Sequence, residues 1–181
     1  MNATEAWAIL ETADEIFGAD AVDAAVARMA DEITARLAGS FPLVLAIMGG
    51  AVVFSGHLLP RLRFPLEFDY VHVSRYGDKT KGSNITWKVE PRENVEGRTV
   101  LVLDDILDEG ATLAEVKRRV LGLGAKAFHS AVFSNKDIGR DKPITPDFVG
   151  LTLPNRFVFG YGMDVAGAWR NLPAVYAVRD A

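Results

Sequence analysis

The chain has 181 residues, the size of one ordinary domain, and its 20 basic against 24 acidic side chains leave a formal charge of −4. It contains no cysteine; disulfides, thiolate metal sites, Fe–S clusters and cysteine nucleophiles are excluded, and a reducing, cytoplasmic setting is expected. The acidic start from Met1 to Phe17 is unlike a secretion signal, no run reaches the ~18 uncharged apolar residues of a membrane span, and mild acidity argues against non-specific nucleic-acid binding.

Two helices are expected first, over residues 11–18 and 20–38. In the second, Val22, Val26, Met29, Ile33 and Leu37 make one apolar stripe. Asp20 is the expected cap and Gly39 the stop. Residues 43–48 are an apolar strand running into Gly49 and Gly50. A helix over 51–59 is stopped by Pro60. Residues 66–74 alternate as a strand should. Residues 99–103 form a short aliphatic strand that ends in Asp104 and Asp105, and a helix follows over 112–123. Further strands are expected at 128–133 and 148–153. Continuous apolar strands bracketed by helices predict an α/β fold, with a parallel sheet covered on both faces. Such sheets bind ligands at the carboxyl ends of their strands.

The most informative segment is Val100-Leu101-Val102-Leu103-Asp104-Asp105-Ile106-Leu107-Asp108-Glu109-Gly110-Ala111-Thr112. A buried strand runs out into three aspartates within five residues, and a Gly-containing turn opens a helix. Main-chain N–H groups at such a turn, aided by the helix dipole, hold a phosphate without a lysine. Two adjacent carboxylates accept from vicinal hydroxyls or orient a hydrated Mg²⁺. A lone Asp-Asp is more often a solvated loop; the whole pattern in this order is not.

That segment resembles the 5-phosphoribosyl-1-diphosphate (PRPP) signature of type I phosphoribosyltransferases. The resemblance implies that Asp104 and Asp105 serve the ribose hydroxyls and the metal, and that Asp108, Glu109, Gly110, Ala111 and Thr112 cradle the 5-phosphate. Many members carry Thr where this chain has Glu109, so Glu109 is expected to turn to solvent and offer only its N–H. In the purine branch the Gly-Gly turn binds pyrophosphate, usually with Lys where this chain has Met48. Met48 and Gly49 keep only the main-chain role, and the family implies a cis peptide between Ile47 and Met48. The basic stretch from Ser74 to Lys88 matches the family's flexible loop, with Arg75 and Tyr76 as the pair that reaches the leaving pyrophosphate.

Rival motifs fail. No G-x-x-x-x-G-K-[ST] occurs, and Gly160-Tyr161-Gly162 does not continue as a dinucleotide fingerprint. His57, His72 and His129 are scattered and read as structural. The last third, from Lys136 through Pro154-Asn155-Arg156-Phe157-Val158-Phe159-Gly160-Tyr161-Gly162-Met163-Asp164 to Trp169-Arg170, resembles the hypoxanthine-guanine phosphoribosyltransferases.

The chemistry suits a 6-oxopurine. Lys136 offers a cation to O6, Phe157 a surface for stacking, Val158 a main-chain edge, and Asp164 an acceptor for an exocyclic amine or a ligand for Mg²⁺. Arg170 is the candidate partner of pyrophosphate. The resemblance thus implies purine salvage. A phosphoribosyl group passes from PRPP to hypoxanthine or guanine, giving IMP or GMP and pyrophosphate, with Mg²⁺ held by Asp104, Asp105 and Asp164. Asp108 is then the general base at N7. One phosphoribosyltransferase domain is expected over 1–181, with a PRPP-binding core at 40–150. A small hood is expected from the N- and C-terminal segments, 1–39 and 151–181. The family implies a homodimer or homotetramer. The alternatives are a non-catalytic PRPP sensor and a transferase for xanthine or uracil.

Overall fold

The structure, a computed structural model, describes residues 1–76, 84–91 and 95–179, with only the backbone of 75, 76 and 84. Its main body is a six-stranded sheet in the order β4-β3-β2-β5-β6-β7, formed by β2 (Leu43–Met48), β3 (Glu67–Tyr76), β4 (Asn84–Val89), β5 (Thr99–Leu107), β6 (Ala127–Lys136) and β7 (Phe148–Leu153). All neighbours are parallel except β3 and β4.

The apolar run of β2 explains why it lies near the middle. Val44 faces one side with Phe54, Leu101 and Leu103, while Leu43, Leu45 and Ile47 face the other with Val100 and Val102. Each fully buried side chain of this kind contributes roughly 1.5–3 kcal/mol. Helix α2 (Ala19–Leu37) presents its Val22–Val26–Met29–Ile33–Leu37 stripe to the first side, joined by α3 (Ala51–Leu58). Helix α4 (Ala111–Gly122) covers the second with Leu113, Val116 and Val120. The sheet is thus covered on both faces.

A second, three-stranded sheet in the order β1-β9-β8 joins distant parts of the chain: β1 (Asp14–Phe17), β8 (Val158–Phe159) and β9 (Val175–Ala177). Residues 1–39 therefore divide. Strand β1 belongs to the small sheet, whereas α2 packs on β7 of the large one. Among the described residues, no helix is long and apolar enough to cross a membrane.

Several local expectations are corrected. Residues 11–18 are not a helix. Helix α1 (Ala3–Thr12) starts earlier because Asn2 and Glu5 form a reciprocal capping box. The segment after it is extended because its backbone pairs with β9, Glu15 opposite Tyr176 and Phe17 opposite Val175. Gly18, not Asp20, is the N-cap of α2, and Ala38 closes it one residue before Gly39. Pro60 does not end a helix outright; it sits within a 3₁₀ turn, Leu59–Arg61. Strand β5 does not stop at Leu103 but runs to Leu107. Strand β6 continues to Lys136 because the two pair to the end, Leu107 opposite Asn135. The cis peptide lies between Met48 and Gly49, one bond later than expected.

Candidate active site

The end of β5 keeps its ladder through the acidic pair, with Asp104 opposite Val132 and Ile106 opposite Ser134. The backbone therefore stays satisfied while the carboxylates are buried, Asp104 at 7% and Asp105 at 8% exposure. Asp104 Oδ1 accepts from the Asp105 N–H at 3.1 Å, and Asp105 Oδ1 accepts from the Ile106 N–H at 2.9 Å. Burial raises the pKa of both carboxyls. Asp104 is raised well above the usual range, with the Asp105 charge adding to the effect. The Arg170 guanidinium, 3.9 Å from Asp105, opposes the rise there.

Three segments meet around this pair only because two positions lack a side chain. A Cβ on Gly50 would lie 2.0 Å from Asp105 Oδ2, and one on Gly162 would lie 2.2 Å from the Gly50 carbonyl oxygen. Gly162 also has φ +100°, a region side chains avoid. The Gly49-Gly50 turn after β2, the end of β5 and the 160–164 turn are thereby brought into direct contact.

Past the pair, Gly110 takes φ +83° and α4 begins at Ala111. The first-turn N–H groups of Ala111, Thr112 and their neighbours have no intrahelical acceptor, as at any helix start. They border a cavity of about 210 Å³ lined by residues 104–113. Glu109 is exposed, and its carboxylate lies 3.1 Å from Arg140.

A second cavity, about 190 Å³, adjoins the first through Asp105, Ile106 and Asp108. Lys136, Phe157, Val158, Met163 and Asp164 complete its lining. The Lys136 ammonium sits 2.9 Å from Asp108 Oδ2, from a side chain only 12% exposed. The Phe157 ring, by contrast, is 57% exposed. Val158 begins β8. Both oxygens of Asp164 are engaged, Oδ1 by Arg170 at 2.5 Å and Oδ2 by the Gly167 N–H at 2.7 Å. Arg170 also donates to the Gly162 carbonyl at 2.5 Å.

The fold thus gathers Asp104, Asp105, Asp108, Lys136, Phe157, Val158, Asp164 and Arg170 at the carboxyl ends of β5 and β6. Met48 ends β2 and Gly49 follows it. Arg75 and Tyr76 end β3, opposite Ile85 and Asn84; their side chains, with residues 77–83, lie outside the described residues. Of the three histidines, His72 pairs opposite Met48 in the β2–β3 ladder, and the other two have partners outside the acidic pair and the two cavities. His57 meets the Tyr161 hydroxyl at 2.9 Å, and His129 lies 3.5 Å from Asp147. No described group of three or more His, Cys, Asp or Glu is arranged to hold a metal ion. Two contacts were missed from sequence. Arg140 offsets Glu109, and an unexplained acid in a phosphate loop was the signal to look for such a cation. Trp169, at φ +72°, anchors the segment before Arg170 by donating from Nε1 to the Ala6 carbonyl at 2.9 Å, with its ring against Trp7. No local pattern announced that contact.

Residues 12–166 match the model of the phosphoribosyl transferase domain. The chain belongs to this family. It is an enzyme of the phosphoribosyltransferase type, with the expected mostly parallel α/β architecture. It is 34% identical over 157 residues to the hypoxanthine-guanine phosphoribosyltransferase of Bacillus subtilis, covering 86% of this chain and 87% of that one. It is 36% identical, over 86% of its length, to the bifunctional protein TilS/HprT of Listeria innocua, of which the match spans only 24%. A crystal structure of a hypoxanthine-guanine phosphoribosyltransferase from Bacillus anthracis superposes with a TM-score of 0.86 at 28% identity, covering 92% of this chain and 98% of that one.

Proposed function

We propose that this phosphoribosyltransferase serves purine salvage, moving the 5-phosphoribosyl group of PRPP to N9 of hypoxanthine or guanine. The products are IMP or GMP and pyrophosphate. One observation carries the reading. A carboxylate and an ammonium, Asp108 and Lys136, stand 2.9 Å apart where the phosphate-loop cavity meets a second cavity bearing an exposed ring, Phe157.

On this reading the 5-phosphate rests on the main-chain N–H groups of residues 108–112 and the Thr112 hydroxyl, and Asp104 and Asp105 face the ribose hydroxyls. The base stacks on Phe157. Its O6 accepts from Lys136, and the main chain of Val158 reads the ring edge. Asp164 accepts from the 2-amino group of guanine. Asp108 then takes the N7 proton as N9 attacks C1. The C1–O bond to pyrophosphate breaks with oxocarbenium character, and Met48–Gly49, Arg75, Tyr76 and Arg170 receive the leaving group. A Mg²⁺ ion belongs to the same proposal. It binds one or two carboxylates and completes its shell with water and substrate oxygens, which suits Asp104 and Asp105. Asp164 joins them only by releasing Arg170. The ion's contribution is to neutralise charge on the departing pyrophosphate.

A 6-amino purine would bring a donor against the Lys136 ammonium. Adenine should therefore be turned over ~10⁴-fold less efficiently than hypoxanthine. The direct test is Asp108→Asn, for which turnover with hypoxanthine should fall ~10²-fold or more. Undiminished turnover would remove Asp108 from the chemistry. A homodimer or homotetramer is part of this reading, supported by an α1 that buries none of its residues and by the exposed Trp7. Sedimentation measures it directly.

A further inference from the structure

Lys142 lies in the loop between β6 and β7, six residues after Lys136, and has no part in the readings above. Its ammonium has three donors, and all three are used. Nζ donates to the Leu107 carbonyl at 2.7 Å, to Asn135 Oδ1 at 2.7 Å and to the Lys136 carbonyl at 2.6 Å. Leu107 and Asn135 form the last pair between β5 and β6. One half-buried cation therefore ties off the two strand ends from which Asp108 and Lys136 project. Partial burial lowers its pKa, and the Asp108 carboxylate opposes that change.

The same loop leans on the phosphate side. A Cβ on Gly110 would meet Pro143 Cδ at 3.3 Å, Ile144 Cγ2 at 3.4 Å and Lys142 Cβ at 3.5 Å. Ile144 is buried in the core beneath α4. Lys142 thus ties together the strand ends that carry Asp108 and Lys136, and its loop lies beside Gly110 of the phosphate loop, where an added methyl would meet it.

We infer that Lys142 is a positioning residue that sets the spacing between the phosphate loop and the Asp108–Lys136 pair. The inference rests on the purine-salvage reading above. A ligand that spans both halves is sensitive to that spacing; a ligand that fills one half is not. Errors of about 1 Å in such spacing cost up to ~10²-fold in reacting systems.

The test compares two probes by calorimetry on wild type and Lys142→Met. GMP reaches both halves, and ribose 5-phosphate reaches the phosphate loop and the acidic pair but not the base cavity. GMP affinity should fall by ~10-fold or more while ribose 5-phosphate changes by less than ~2-fold. Equal losses for both probes, or no loss for either, would overturn the inference. If Lys142→Met does not fold, Asn135→Ala removes one acceptor and keeps the ammonium. It should shift GMP alone, in the same direction and by less, and no selective shift there also overturns the inference. A wild-type protein that binds ribose 5-phosphate but ignores GMP would instead overturn the reading of the base cavity, and this inference with it.

Discussion

The two halves of the site are built from different materials. The phosphate half, residues 108–112, offers main-chain N–H groups presented by a turn at Gly110 and by the start of α4. The base half offers side chains: the Lys136 ammonium, paired with Asp108 at 2.9 Å, the Phe157 ring, and the Asp164 carboxylate, paired with Arg170 at 2.5 Å. A main-chain site depends on backbone shape and tolerates many side chains. A side-chain site depends on the identity of each group. This difference accounts for an acid at position 109 inside a phosphate loop: only its N–H faces the ligand in the proposed reading, and Arg140 meets its carboxylate.

The largest effect should come from the side-chain half. Lys136→Ala should lower kcat/KM for hypoxanthine ~10²-fold, the loss of a charged hydrogen bond in a desolvated site. The KM for PRPP should stay within ~2-fold. Parallel losses for both substrates in steady-state kinetics would break the division into halves.

Next in size is the junction. Gly50→Ala drives a methyl into the Asp105 carboxylate, and overpacking of this kind costs about 1–3 kcal/mol. Its melting temperature should drop by several degrees, since 1 kcal/mol is worth roughly 2–4 °C in a domain of this size. Both substrates should be affected, unlike Lys136→Ala.

A smaller, pH-dependent effect should appear where the small sheet is tied together. Asp14 is bound by Arg156 at 2.7 Å and Arg179 at 2.6 Å. Its carboxyl is held below the usual carboxylate pKa, chiefly by the hydrogen bond from Arg179 and then that from Arg156. A depressed carboxyl adds stability above its unfolded pKa and loses it as pH falls through the folded one. Asp14→Asn should therefore melt below wild type near neutral pH, and the difference should shrink as pH falls through the lowered Asp14 pKa. A difference that persists unchanged in acid would show that the ion pairs are not its source. The smallest effect is expected for Glu109→Ala, within ~2-fold in the KM for PRPP, because an exposed ion pair contributes little. A large change there would show that the side chain, and not only the backbone, belongs to the phosphate half.

Strands β2 and β7 were legible to the residue, β2 as an uninterrupted apolar run buried between layers and β7 as a largely apolar run whose Phe148 and Leu153 are buried. The end of β5 was not. Acidic residues signal the end of a strand when read alone, but Asp104 and Asp105 remain extended because β6 supplies their ladder partners. Strands β1, β8 and β9 are only two to four residues long, and β1 pairs with β9 across nearly the whole sequence, so no local pattern marks them. The residues proposed for the site were legible as a set because strand ends, glycines and acids fall in one order. Lys142 was not, since its role depends on three acceptors that converge only after β5 and β6 have paired.

The β1–β9 pairing has a bearing on how the molecule is made. During synthesis β1 leaves the ribosome early, while β9 is the last of the described strands to emerge. The parallel strands can assemble on the nascent chain as they appear. Asp14 meets Arg179, and the stretch bearing Phe157, Asp164 and Arg170 is pinned, only once β9 has emerged. The residues proposed for the base side of the site are therefore fixed only after the strands of the large sheet have been made.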